Sequence, residues 1–290
     1  MSTRSGALLV LLGALWGGSF VFMRVTVPAL GPVALSFVRV TLAAAILLAV
    51  AGAQRRLPDL RRRWREFAVV GAVNSALPFV LFSYAAQHIT VSTLAILNAT
   101  SPFFGAVIAA AWFGEPLTGR KLAGLALGIA GVAVLAGWQP AAMAGATGLA
   151  IAASLVAALC YALAAAFAKR RLADVPSFAV AAASQLFAAV ALAPALPFTS
   201  VPGPVTPLVI ANVVALAAAS TAVAYLIYFK LIADIGPARA LTVTFLIPLF
   251  GALWGYVFLG EALTADMLAG GALVVAGTVL ALRGKSEPGS

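Results

Sequence analysis

Charged residues are scarce in this chain, and acidic ones are the scarcest. Of its 290 residues 9% are charged, and it has one histidine and one cysteine. A soluble domain carries about 25% charged residues, so this composition cannot cover a water-facing surface. A single cysteine excludes a framework of intrachain disulfides. The lone His88 has no second group placed in the sequence to form a catalytic dyad or a metal site. We therefore expect no catalytic residue, no metal and no cofactor.

The acidic residues avoid the long apolar runs and fall in predicted loops or at predicted helix ends. Proton-coupled carriers usually bury an acidic residue or a histidine along their path. Facilitated diffusion is therefore a live alternative to coupled transport, and an enzyme is disfavoured. The acidic residues are Asp59, Glu66, Glu115, Asp174, Asp234, Glu261, Asp266 and Glu287.

Apolar residues make up 63% of the chain and are gathered in long runs. A helix needs roughly 20 mostly apolar residues to span a bilayer. The runs predict an all-α integral membrane protein with ten transmembrane helices surrounded by lipid. The predicted spans are about 6–27, 32–52, 66–87, 91–112, 121–137, 148–168, 177–196, 208–231, 238–258 and 267–283.

The net charge of +10 sits in short clusters between these runs. Lysine and arginine are enriched in the cytoplasmic loops of membrane proteins. With the N-terminus inside, all basic residues except Arg24 and Arg39 fall on the inner side. The pattern predicts N-in and C-in topology in the inner (plasma) membrane. Because the basic clusters suit an anionic leaflet, we expect no nucleic-acid partner.

One stretch of the sequence occurs a second time in a similar form. Residues 102–134 align with 248–280 at a shift of 146. The repeat predicts a first five-helix unit at 1–137, a linker at 138–147, a second unit at 148–285 and a tail at 286–290. Because five is odd, the second unit enters the membrane inverted. Inverted repeats are a recurring plan of transporters, with the binding site near the midplane between the units.

The repeated motifs resemble those of a known family. Each copy has the pattern Pro-x-x-Gly, Gly-Glu-x-Leu-Thr, Ala-Gly and Gly, and Ala14-Leu15-Trp16-Gly17 and Arg39-x-x-x-Ala43-Ala44 extend the likeness. The chain resembles the EamA family of the drug/metabolite transporter superfamily, and bacterial amino-acid and metabolite exporters in particular. The resemblance implies a two-repeat fold in which helices 1, 3, 4, 6, 8 and 9 line a central path.

Prolines inside predicted spans mark candidate binding positions. A proline has no N–H, so the carbonyl four residues earlier loses its helical partner. In hydrocarbon such a carbonyl is costly unless it lines a cavity or is bonded again. We expect the polar residues at these positions to hold the polar head of a substrate; ordinary kinks with interhelical hydrogen bonds are the alternative. The positions are Asn74, Asn98 and Thr244, with Ser220 as the repeat equivalent of Asn74.

Aromatic residues spaced three or four apart share helix faces. A pocket with aromatic walls and a few polar groups is the usual form of a small-molecule site. The alternative is that these faces only pack helices or meet lipid. The candidates are Trp16, Ser19 and Phe20 in the first predicted helix, Phe79, Phe82 and Ser83 in the third, Tyr161 in the sixth, and Tyr225 and Tyr228 in the eighth.

Three further features have two interpretations each. Arg39 either neutralises a substrate carboxylate or bonds helix-end carbonyls. Glu115 and Glu261 are either carboxylates at the start of the following helix, where the dipole favours them, or proton carriers. The glycines of helices 5 and 10 either pack these helices together or form a dimer seam.

The sequence therefore predicts an exporter of small amphipathic metabolites, above all amino acids, aromatic or other hydrophobic ones among them. It would work by alternating access at a midplane cavity, as a monomer or weak homodimer. Efflux of drugs or toxic compounds, or passive facilitation by the same fold, is the alternative. A membrane enzyme, a lipid-handling protein and a sensor or scaffold are less well supported.

Overall fold

The computed structural model describes residues 2–55, 57–135 and 145–283. Every regular element within these ranges is a helix, so the all-α prediction is confirmed. The α-helices are α1 (Thr3–Ala53), α2 (Trp64–Gly71), α3 (Leu77–Ala85), α4 (Val91–Asn98), α5 (Ser101–Phe113), α6 (Gly119–Leu135), α7 (Ala146–Arg171), α8 (Ser177–Leu192), α9 (Pro207–Ala217), α10 (Ala224–Ile235), α11 (Pro237–Ala240), α12 (Leu246–Leu259) and α13 (Ala265–Arg283).

Shorter helical turns of other kinds connect several of these helices without a loop. π-helical turns join α2 to α3 and α9 to α10, at Ala72–Ala76 and Ala218–Val223. 3₁₀ turns follow α8 and precede α12, at Ala193–Phe198 and Leu241–Phe245.

Seven helical stretches of the described chain are long and apolar enough to cross a membrane. Each of the ten predicted spans coincides, to within a few residues in the described ranges, with one helix or with a run of consecutive helical elements, and two of the spans lie within α1. The count of ten crossings, the N-in and C-in orientation and the inversion of the second unit stay predictions. Most of the predicted linker and all of the predicted tail lie outside the described residues.

The first long helix bends at Gly31. α1 has 51 residues, and a straight helix of that length would measure about 75 Å, far more than the roughly 30 Å core of a bilayer. Gly31 has φ 72° and ψ 164°, a backbone conformation that only glycine adopts without strain. The bend therefore separates two helical limbs, as the two predicted spans require.

Replacing Gly31 with alanine should destabilise the protein by about 1–3 kcal/mol, because alanine would have to adopt the positive φ of this position, which is strained for a residue with a Cβ. Gly52→Ala is the matched control. Gly52 is helical, and a Cβ there meets nothing within 4 Å, so alanine should be neutral or slightly stabilising. Thermal unfolding of both variants in detergent measures the difference. Equal melting temperatures would contradict this account of the bend.

Glycines bring α6 and α13 into close contact. A Cβ built on Gly124 would lie 2.6 Å from the carbonyl oxygen of Gly277, and one on Gly131 would lie 2.7 Å from that of Gly270. Small residues let two helix backbones approach this closely. The predicted packing of these two helices is confirmed. These glycines are covered within the chain, so they do not form a dimer seam.

Candidate functional site

A cavity of about 260 Å³ lies between helices of the first and second halves of the chain. All the predicted candidates except Ser83 line it. The hydroxyl of Ser83 instead lies 3.5 Å from that of Ser36, in a buried contact between helices. The candidates at the cavity are Trp16, Ser19, Phe20, Asn74, Phe79, Phe82, Asn98, Tyr161, Ser220, Tyr225, Tyr228 and Thr244. Whether they bind a substrate stays a prediction.

Aromatic rings form a large part of the cavity wall. Trp16 of α1 lies 5.3 Å from Tyr228 of α10, centroid to centroid. Phe82 of α3 lies 5.5 Å from Phe20 and 6.1 Å from Tyr161 of α7. These separations are typical of packed aromatic pairs. The rings join helices of the two halves and give the cavity an apolar side.

The two π-helical turns bring polar residues to the cavity from equivalent positions in the two halves. They are related by the shift of 146. The first precedes Pro78, whose missing N–H disturbs the hydrogen-bond ladder. The second has no proline; there the hydroxyl of Thr221 donates to the carbonyl of Leu216, five residues earlier, at 3.0 Å. Asn74 and Ser220 lie on these turns, and π turns are frequent at functional sites.

Pro102, four residues after Asn98, follows an interruption of the helix, since α4 ends at Asn98 and α5 begins at Ser101. The carbonyl of Asn98 does not stay free, because the hydroxyl of Ser101 donates to it at 2.8 Å. Of the two outcomes expected for such a carbonyl, this one is bonded again within the chain. The side-chain amide of Asn98 makes no hydrogen bond in the described part of the chain, and it is the better binding group.

Two hydrogen bonds cross between the halves in a matched pair. Nε of Arg39 donates to Oγ1 of Thr221 at 3.0 Å, and Nε2 of Gln185 donates to Oγ of Ser75 at 2.9 Å. Both donors and both acceptors are related by the shift of 146. Each bond joins the second predicted span of one half, in α1 or α8, to the π turn of the other half. Arg39 thereby reaches the cavity wall.

Seven residues that line the cavity are outside the predicted set of binding residues. Met23 shares the face of Trp16, so helical spacing carried a signal for it. Arg39 was interpreted above either as a contact to a substrate carboxylate or as a contact to helix-end carbonyls. The other five meet the cavity through contacts between distant segments, which no local pattern shows. The residues outside the predicted site are Met23, Arg39, Ser101, Thr221, Leu241, Val243 and Ile247.

Glu261 caps a helix of the first half. Its carboxylate accepts the backbone N–H groups of Val91 at 2.9 Å and Ser92 at 3.3 Å. These are unpaired donors of the first turn of α4, and a carboxylate there is favoured by the helix dipole. The third N–H, of Thr93, is bonded by Oγ1 of Thr90. Of the two interpretations of Glu261, a carboxylate at a helix start agrees with these contacts, but the helix is α4 and not the helix that follows Glu261 in the sequence.

Glu115, the repeat equivalent of Glu261, has different partners. Its oxygens lie 3.6 Å from Nζ of Lys121 and 3.6 Å from Nζ of Lys169, and its side chain is 42% exposed. Other positions related by the shift of 146 also differ in their burial. Ala95 in α4 is fully buried, whereas its equivalent Leu241 is 42% exposed. The structure therefore departs from two-fold symmetry around the cavity.

Comparison with known proteins gives the family. The sequence profile of the EamA-like transporter family matches residues 4–137 and, a second time, residues 148–283. The chain belongs to the EamA-like transporter family. The resemblance stated from its motifs is thereby confirmed. This EamA-like protein is a multi-pass membrane transporter of small molecules and not an enzyme, because its family and relatives are transporters.

Relatives of this EamA-like transporter match nearly its whole length. The "Probable terminal-alkyne amino-acid exporter" of Streptantibioticus cattleyicolor is 29% identical over 277 residues, which are 94% of this chain and 91% of the relative. The "Uncharacterized transporter YvbV" of Bacillus subtilis is 25% identical over 275 residues, 94% and 90% of the two chains. A protein of known crystal structure is 20% identical in sequence and superposes with a TM-score of 0.69. The match covers 99% of this chain and 100% of the chain in that crystal structure. At that identity it supports the fold alone.

Proposed function

We propose that this EamA-like transporter exports small amphipathic metabolites, above all amino acids with an apolar side chain. The observation that carries the proposal is the cavity between the two halves. Its aromatic rings suit an apolar side chain, and its amide, hydroxyl and guanidinium groups suit a zwitterionic head. Such a mixture is the usual form of a small-molecule site. The printed name of the Streptantibioticus relative supports both the substrate class and the outward direction.

The proposed mechanism is alternating access between the units 1–137 and 148–285, the second inverted, with both termini cytoplasmic. In the described arrangement Glu261 ties α12 and its following loop to the start of α4. The last residue of α4, Asn98, lines the cavity. We propose that α4 moves relative to α12 when the cavity opens, so that the Glu261 contact breaks and re-forms during the transport cycle.

Ligand-induced stabilisation tests the substrate class. We expect at least one of leucine, phenylalanine, tryptophan and a terminal-alkyne amino acid to raise the melting temperature of the purified protein. A ligand at 100 times its Kd stabilises by about 2.7 kcal/mol, which corresponds to a shift on the order of 5–10 °C. Glucose is the matched polar control and should not stabilise. A shift with cationic dyes alone would favour drug efflux instead, and no shift with any amino acid would contradict the proposal.

Transport itself is measured in proteoliposomes as uptake of the stabilising amino acid in labelled form under an imposed pH gradient. Uptake should exceed that of protein-free liposomes and of liposomes carrying an unrelated membrane protein. The same assay with the pH gradient collapsed separates passive from coupled transport. An unchanged rate supports a passive facilitator, and strict dependence on the gradient excludes one.

A further inference from the structure

Arg39 is a buried cation with no anionic partner in the described part of the protein. It is 5% exposed and lines the cavity. None of the ion pairs among the described residues includes it. A guanidinium keeps its charge in proteins, and a charge inside the membrane is costly unless it is paired. Helix packing alone therefore does not explain why a charged residue occupies this position.

The guanidinium is held in place but keeps donors to spare. Its Nε donates to Oγ1 of Thr221 at 3.0 Å, and its central carbon lies 3.7 Å from the centroid of the Phe79 ring. A cation–π contact offsets part of the cost of burial. Nη1 approaches the sulfur of Met23 at 3.8 Å, and a thioether is a weak acceptor. The two terminal nitrogens thus remain able to bind a planar anion.

The second half of the chain makes the matching bond without a charge. Gln185, the repeat equivalent of Arg39, donates to Ser75 at 2.9 Å and is fully buried. An uncharged amide therefore suffices for the bond between this helix and the opposite π turn. The positive charge of Arg39 is not required for that bond. It is an addition present in one half and absent from the other.

The hydroxyl of Ser220 is a second observation that points to a ligand at this cavity. Its hydroxyl is buried and has no hydrogen-bond partner among the described residues. Buried polar groups in native proteins nearly always have a partner. Ser220 lines the same cavity as Arg39 and precedes Thr221, the residue that fixes Nε of Arg39. A ligand atom in the cavity would satisfy this hydroxyl.

We propose that Arg39 binds the carboxylate of the transported molecule, with the Ser220 hydroxyl as a further polar contact. An arginine fork and a carboxylate match in geometry and form two parallel charge-assisted hydrogen bonds. The inference rests on the proposed transport function and narrows its substrate class. Carboxylates with an apolar side chain are accepted, amino acids among them, and the corresponding amines without a carboxylate are rejected. Arg39 is then the residue that determines specificity.

The test compares phenylalanine with phenethylamine, and leucine with isoamylamine, by calorimetric binding to the purified full chain. The wild type should bind each acid at least tenfold more tightly than its amine. Arg39→Gln copies the residue of the second half, so it should retain the bond to Thr221 and the melting temperature. It should weaken acid binding at least tenfold, leave amine binding within threefold, and so abolish the discrimination. Arg24→Gln, a cation of α1 outside the cavity lining, is the matched control and should behave as wild type.

The outcomes separate the assignment of Arg39 from the proposed function. Arg39→Gln with unchanged preference for the acids overturns the assignment of Arg39 and leaves the transport proposal standing. Wild-type protein that binds the amines as tightly as the acids also overturns the assignment, even if Arg39→Gln does not fold. Wild-type protein that binds neither the amino acids nor their amines overturns the proposed function first, and the assignment with it.

Discussion

Replacing Glu261 with alanine should lower the melting temperature by on the order of 5–10 °C, whereas Glu115→Ala should shift it by less than about 4 °C. The two glutamates are repeat equivalents, so the change in sequence is the same. Their surroundings differ. Val91 and Ser92, whose N–H groups Glu261 accepts, are fully buried, and a buried donor left without a partner costs about 1–3 kcal/mol.

Glu115 is the matched control because its carboxylate is partly exposed, with a side chain that is 42% accessible. Its partner Lys169 is 64% exposed, and the buried partner Lys121 keeps a hydrogen bond to the carbonyl of Pro116 at 3.1 Å when Glu115 is removed. Loss of these ion pairs should therefore cost about 0–1 kcal/mol. At about 2–4 °C per kcal/mol, the two variants should be clearly resolved by thermal unfolding in detergent. Faster hydrogen exchange at the first turn of α4 should accompany Glu261→Ala alone. Equal shifts for the two variants would contradict the capping role of Glu261.

Gly124→Val should abolish stable folding or cost about 3 kcal/mol or more. A Cβ at position 124 would lie 2.6 Å from the carbonyl oxygen of Gly277 and 2.8 Å from the backbone nitrogen of Ala281. Both neighbours are main-chain atoms of α13 and cannot turn aside as a side chain can. The two helices would have to separate, and overpacking of this kind typically costs about 1–3 kcal/mol or more.

Gly105→Val is the control for the glycine prediction. Gly105 belongs to the same repeated motif and lies in α5, where a Cβ meets nothing within 4 Å. Both substitutions exchange a helical glycine for valine, so intrinsic helix propensity cancels between them. The fraction of monodisperse protein after size-exclusion chromatography and the melting temperature measure the contrast. Similar values for both variants would contradict the prediction that stable folding requires the close packing of α6 against α13.

Much of the fold follows from the sequence because a bilayer leaves few alternatives. Backbone groups in hydrocarbon must bond within their own segment, so long apolar runs become helices. The glycine spacing of α6 and α13 also predicted their contact, since close approach requires small residues. The bend at Gly31 was foreseen as a boundary between two spans, although nothing in the sequence gives its backbone angles.

The cavity was partly predictable for a related reason. Residues such as Trp16 and Phe20 share one helix face by spacing alone, and the prolines pointed to Asn98. Ser83 shows the limit of this argument, because a helix face is wider than the part of it that a cavity touches. The contacts of Arg39 and Glu261 join residues more than 150 positions apart. Local sequence patterns cannot predict contacts between residues so far apart in the chain.

The unequal surroundings of Glu115 and Glu261 also bear on which state the empty carrier occupies. Two identical units would give inward- and outward-open forms of equal free energy, a degenerate ground state. Here Glu261 caps α4, while Glu115 is engaged by Lys121 and Lys169. In the proposed cycle these different partners make the free energies of the inward-open and outward-open forms unequal. A ligand can repopulate the other form only to the extent that it binds that form more tightly.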